Sequence, residues 1–183
     1  MTAQQTVALD PSMGAWPQSL IARLGQAAPP LLMALGPLEL LAGKRVAIFC
    51  SARTPGESIL RTHDAARALR DEGVQVVSGF HSELERECLE ILLRGKQPII
   101  ICPGRAIESM RVPPALRLAF DAGRILFLSP FIQEPQRVTR ASALRRNEVV
   151  AALADEAYIA HTEKGGITEL IAKRLREWGV PII

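Results

Sequence analysis

The chain has 183 residues, 48% of them hydrophobic and 22% charged, with a formal net charge of +3. This composition excludes a disordered or fibrous polypeptide, and the length suits one domain with a sizeable core. The mild positive balance permits an anionic partner without demanding one. Cys50, Cys88 and Cys102 match no zinc spacing, and His63, His81 and His161 are scattered, so neither a metal site nor a cofactor is expected. Cys50 and Cys102 end apolar runs and read as small buried hydrophobes. The opening "MTAQQTVALD" lacks the basic start and apolar centre of a secretion signal, and the apolar stretch 31–41 is broken by Gly36 and Pro37. A soluble, cytoplasmic protein with no membrane segment is expected.

In chain order, residues 1–43 come first. "WPQSLIARLGQAAPPLLMALGPLELL" is expected to form short helices broken by Pro17, Pro29, Pro30 and Pro37, a helical lead-in packed on a sheet edge. From Lys44 onward two kinds of segment alternate. "RVAIFC" (45–50) is a short, continuous apolar run, as a strand buried on both faces requires. Residues 57–72 show the helical period and end at Gly73. The pattern repeats as strand 74–79, helix 82–94, strand 98–102, helix 113–123 and strand 125–129. A helix through 145–153, strand 156–161, helix 166–178 and a last strand 180–183 complete it. Such alternation predicts a three-layer α/β domain over residues 44–183, with about six mostly parallel strands.

Ligands of an open parallel sheet bind beyond the carboxyl ends of its strands. The segments there are "CSARTPGES" (50–58), "SGFHSE" (78–83), "PGRAIES" (103–109), "SPF" (129–131) and "TEKGGIT" (162–168). Their glycines, hydroxyls and basic side chains suit phosphate oxygens, although Gly and Ser also serve such turns sterically. Arg137, Arg140, Arg145 and Arg146 add charge within ten residues that contain no acid. No G-x-G-x-x-G, G-x-x-x-x-G-K-[ST] or G-x-S-x-G occurs, which disfavours a dehydrogenase, a P-loop ATPase and a serine hydrolase.

From Trp16 to the end the layout resembles the DNA-processing protein A (DprA/Smf) family. The lead-in with "KRVAIFCSAR" is similar to the family's lead-in and Gly-Ser-Arg turn, and "GVQVVSGF" to its second strand. "RRNEVVAALADEAYIAHTEKGGIT" resembles its Arg-Asn-Arg helix, strand and final glycine turn. The resemblance implies a Rossmann-like domain that binds single-stranded DNA, works with a recombinase in natural transformation, and forms a homodimer. The family's long members carry a C-terminal winged-helix domain, and the expectation here is the Rossmann-like core alone.

Carried over by position, the phosphate-binding residues are Ser51, Arg53, Ser78, Gly79, Arg145, Arg146, Asn147, Lys164, Gly165, Gly166 and Thr168. Three family arginines are replaced by Ala52, Ser82 and Glu148, and Glu83 stands where the family has Gly. Glu83 and Glu148 are therefore expected on the rim of the site, opposing a polyphosphate backbone. The same segment is also similar to the LOG family of nucleoside-monophosphate phosphoribohydrolases, with Arg146 and Glu169 in catalytic roles. Three readings stand side by side: a DNA-binding module without catalysis, that N-glycosidic hydrolase, and a nucleotide-phosphate sensor.

Overall fold

The computed structural model describes residues 5–51, 53–133, 135 and 137–183. Ala52 therefore lies outside the described residues, as do residues 1–4 of the lead-in. The strands are β1 (Val7–Leu9), β2 (Leu32–Leu35), β3 (Val46–Phe49), β4 (Val76–Ser78), β5 (Ile99–Ile101), β6 (Ile125–Ser129) and β7 (Glu156–Ile159). The α-helices are α1 (Gln18–Leu24), α2 (Gly56–Asp71), α3 (Glu83–Leu93), α4 (Pro114–Asp121), α5 (Arg140–Leu153) and α6 (Ile167–Glu177).

All seven strands form one sheet in the order β1-β2-β6-β5-β4-β3-β7. β3 to β7 are mutually parallel, while on the β6 side β2 runs antiparallel to β6 and β1 antiparallel to β2. The central strands are continuous apolar runs because each face is covered. Ala47, Phe49, Val77, Ile100 and Leu126 face α1, α5 and α6, whereas Val46, Ile48, Val76, Ile99 and Ile125 face α2, α3 and α4. The expected three-layer, mostly parallel architecture is what the chain adopts.

The lead-in differs from its expectation. It is only partly helical, since Val7–Leu9 and Leu32–Leu35 are strands of the main sheet. "LMAL" has helix-forming residues, but the five residues between Pro30 and Gly36 cannot complete a stable helix, whereas pairing with β6 satisfies their backbone. At the other end, residues 180–183 do not make a full strand. They contribute one isolated bridge, Ala157 to Ile182, beside β7.

The start of α5 also differs, by five residues. Thr139 and Ser142 form a reciprocal capping box at 3.1 and 2.9 Å, so the helix begins at Arg140 rather than Arg145. Ser142, Arg146, Val149, Val150 and Leu153 then form its buried face. Arg146 is thereby placed more than a turn inside the helix, over the sheet.

β3 through β6 step one way across the sheet and β7 returns to the other side of β3. The order of strand addition reverses at β3, and the turns after β3 and β7 diverge around a crevice.

Candidate functional site

A cleft of about 220 Å³ lies at that reversal, between the end of β3, the β4–α3 turn, α5 and the β7–α6 turn. Its floor is Arg146. The residue is 3% exposed, its Nη1 donates to the Cys102 carbonyl at 3.4 Å, and its Nε has no acceptor. Burial lowers the guanidinium's pKa from its ordinary value, and the nearby Glu85 carboxylate opposes that shift. A buried cation with such incomplete pairing is costly unless a ligand completes it. Gly79 makes the position sterically accessible, because a Cβ there would overlap the guanidinium.

One wall is the start of α6. Gly166 is the N-cap and has no side chain, so the first-turn N–H groups of Ile167 and Thr168 are left without a side-chain cap. Those N–H groups, with the positive end of the helix dipole, suit an oxyanion. Gly165 takes φ +73°, a backbone conformation that favours glycine, and its N–H donates to Glu169 Oε2 at 2.7 Å. Arg140 Nη2 donates to the Gly165 carbonyl at 3.2 Å, tying the start of α5 to this turn.

Ser51 also lines the cleft, and its hydroxyl donates to the His161 carbonyl at 2.8 Å. Beside it Glu85, 5% exposed, accepts N–H groups from Cys50 at 3.1 Å, His81 at 2.8 Å and Ser82 at 3.3 Å. It thus binds the end of β3 to the start of α3. The Cys50 thiol is pushed up in pKa by its hydrogen bond to Cys88 and by burial, and burial pushes Cys102 up to about 12. Both therefore remain protonated thiols at neutral pH.

The expected site residues divide into three groups. Ser51, Arg146, Asn147, Gly166 and Thr168 line the cleft. Ser78 and Gly79 lie beneath it: the Ser78 hydroxyl is fully buried and donates to the Ile48 carbonyl at 2.7 Å. Arg53, Lys164 and Gly165 are exposed and do not line the cleft, although Arg53 stands 3.8 Å from Glu163, which does.

Arg145 does not join them. One position along the helix from Arg146, it turns away and donates to the Ala27 carbonyl. Glu148 is not on the rim either: it pairs with Arg174 of α6 at 2.8 Å and stands 3.9 Å from Arg145. Glu83 is an exposed first-turn residue of α3 that does not line the cleft. Glu169 faces the Gly165 turn rather than the cleft, so the carboxylate assigned to glycosidic chemistry is not positioned for it. Arg140, from the acid-free arginine stretch, lines the cleft, as do Glu85, Glu163 and His81, which are not among the expected binding residues. The capping-box pattern Ser82-x-x-Glu85 is the sequence signal that could have located Glu85.

The model of the family described as DNA recombination-mediator protein A matches residues 9–176. The chain belongs to this family. Its fold is similar to DNA processing protein A of Streptococcus pneumoniae, with a TM-score of 0.79 and 20% identity, covering 98% of this chain and 62% of that one. It is also similar to DNA processing protein A of Helicobacter pylori, a protein described for its single-stranded DNA binding mode, with a TM-score of 0.75 and 22% identity. That likeness covers 97% of this chain and 79% of the other. The chain thus spans less than two thirds of the Streptococcus pneumoniae relative. Among curated protein sequences none matches. The family match takes in most of the lead-in, whose β1 and β2 extend the sheet. Among the described residues no helix is long and apolar enough to cross a membrane.

Proposed function

We propose that this member of the DNA recombination-mediator protein A family binds single-stranded DNA by seating a backbone phosphate in the cleft. The observation that carries the reading is Arg146, buried to 3% exposure with its Nε unpartnered, in the same cleft as the uncapped start of α6. A phosphate oxygen offers acceptors to both at once. Ser51, Asn147 and Thr168 surround that phosphate, and Arg53, Arg140 and Lys164 meet its neighbours along the strand. The single-stranded DNA binding described for the Helicobacter pylori relative supports the same ligand class.

Among the described lining residues only His81 carries a ring, so base stacking contributes little and sequence selectivity is weak. The flexible backbone of a single strand can bend a phosphate down to the buried floor, whereas a stiff duplex resists that bending, which favours a single strand. In the cytoplasm the bound strand is passed to a recombinase during DNA processing, and the chain acts as a homodimer. These roles accord with the family.

The test is fluorescence anisotropy of a labelled single-stranded oligonucleotide over a salt series. Saturable binding is expected, falling with salt by a log–log slope of about −0.7 per phosphate contact. A duplex of the same length should compete poorly. No binding at low salt would overturn the reading.

A further inference from the structure

Four formal charges line the cleft and cancel: Arg140 and Arg146 against Glu85 and Glu163. The two carboxylates are not equivalent. Glu85 is buried, and three backbone N–H groups occupy its oxygens. Glu163 is half-exposed, and its charged partner is Arg53 at 3.8 Å, whose own side chain is 88% exposed. An ion pair so open to water is weak, and it leaves the Glu163 carboxylate to act on whatever enters.

The cleft therefore combines opposing features. Directed donors, from Arg146 and from the Ile167 and Thr168 N–H groups, suit phosphate oxygens. The Glu163 carboxylate penalises negative charge. The donor count is the same for any phosphate, and because Glu85 and Glu163 offset Arg140 and Arg146, a second ligand charge gains no net Coulomb attraction while still costing its desolvation. A phosphodiester within a strand carries one charge, while a terminal phosphomonoester carries close to two above its second ionisation near pH 6.

We propose that Glu163 is a specificity-determining residue, tuning the cleft toward the singly charged phosphodiester of a strand interior and against the phosphomonoester of a free nucleotide or 5′-phosphorylated end. This rests on the phosphate-binding reading above. It gives the acid a use: free nucleotides would otherwise compete with the strand for the buried arginine.

The test is displacement of a labelled oligothymidylate at pH 8 by thymidine 5′-monophosphate and by its methyl ester, which differ by one charge. For the wild-type chain the ester should compete better by about three- to fivefold. Glu163→Gln, an exposed substitution, should remove that preference and tighten oligonucleotide binding by a similar factor. Arg53→Ala, which leaves the carboxylate unneutralised, should widen the preference. Equal competition by the two compounds, including none by either, or a preference that survives Glu163→Gln, would overturn the proposal while oligonucleotide binding stands. Loss of oligonucleotide binding by the wild-type chain would instead remove the reading beneath it.

Discussion

The guanidinium of Arg146 fills the space that a side chain at Gly79 would need. The two residues come from elements far apart in sequence, the end of β4 and the buried face of α5. Their contact lets a cation lie at the floor of the cleft rather than on its rim, where water would screen it.

Gly79→Ala tests that contact. The added methyl meets the guanidinium, so either the arginine or the helix must move. Overpacking of this kind costs about 1–3 kcal/mol. The variant should unfold at lower urea concentration than wild type and bind an oligonucleotide more weakly, both changes arising from one methyl group.

Arg146→Met should separate stability from binding. Arg146 forms no ion pair within 4 Å among the described residues, and Glu85 retains its backbone donors without it. Replacing a poorly paired buried cation by an apolar side chain of similar length is neutral or stabilising by roughly 1–4 kcal/mol. Urea midpoints should therefore hold or rise. Oligonucleotide affinity should fall by roughly tenfold or more, since a charge-assisted phosphate contact is lost. A parallel loss of stability and binding would identify Arg146 as a structural residue.

Much of the fold was legible because β3 to β6 are short apolar runs and α2 to α4 carry a clear helical period between them. The lead-in was harder. Leu32–Leu35 is a strand only because β6 presents a free edge, a tertiary fact with no local signal. The site was legible as a set of turns but not as a set of side-chain directions. Arg145 and Arg146 are adjacent letters, yet the capping box at Thr139 fixes the helix phase so that one points to Ala27 and the other into the cleft. The same rotation sends Glu148 to Arg174. Arg140 takes the place expected of Arg145, joining the start of α5 to the glycine turn.

The buried thiols give a pH signature. Burial holds Cys102 at about 12, above its ordinary value of 9.0. The folded chain thus keeps a proton that the unfolded chain releases above pH 9, so stability falls as pH rises from there toward 12. The slope is about 1.4 kcal/mol per pH unit for one such thiol. Cys102→Ala should flatten the decline between pH 9 and pH 10.5 relative to wild type in urea titrations. Identical slopes would show that the thiol is not so shielded.

The central claim is that a phosphate sits between Arg146 and the start of α6, and amide NMR on titration with a short single-stranded oligonucleotide tests it most directly. The account predicts that the backbone N–H resonances of Ile167 and Thr168 and the Nε–H resonance of Arg146 shift together and saturate at one affinity. The N–H resonances around Ala27, where Arg145 points, should stay in place. Shifts elsewhere on the molecule, with Ile167, Thr168 and Arg146 unmoved at saturation, would contradict it.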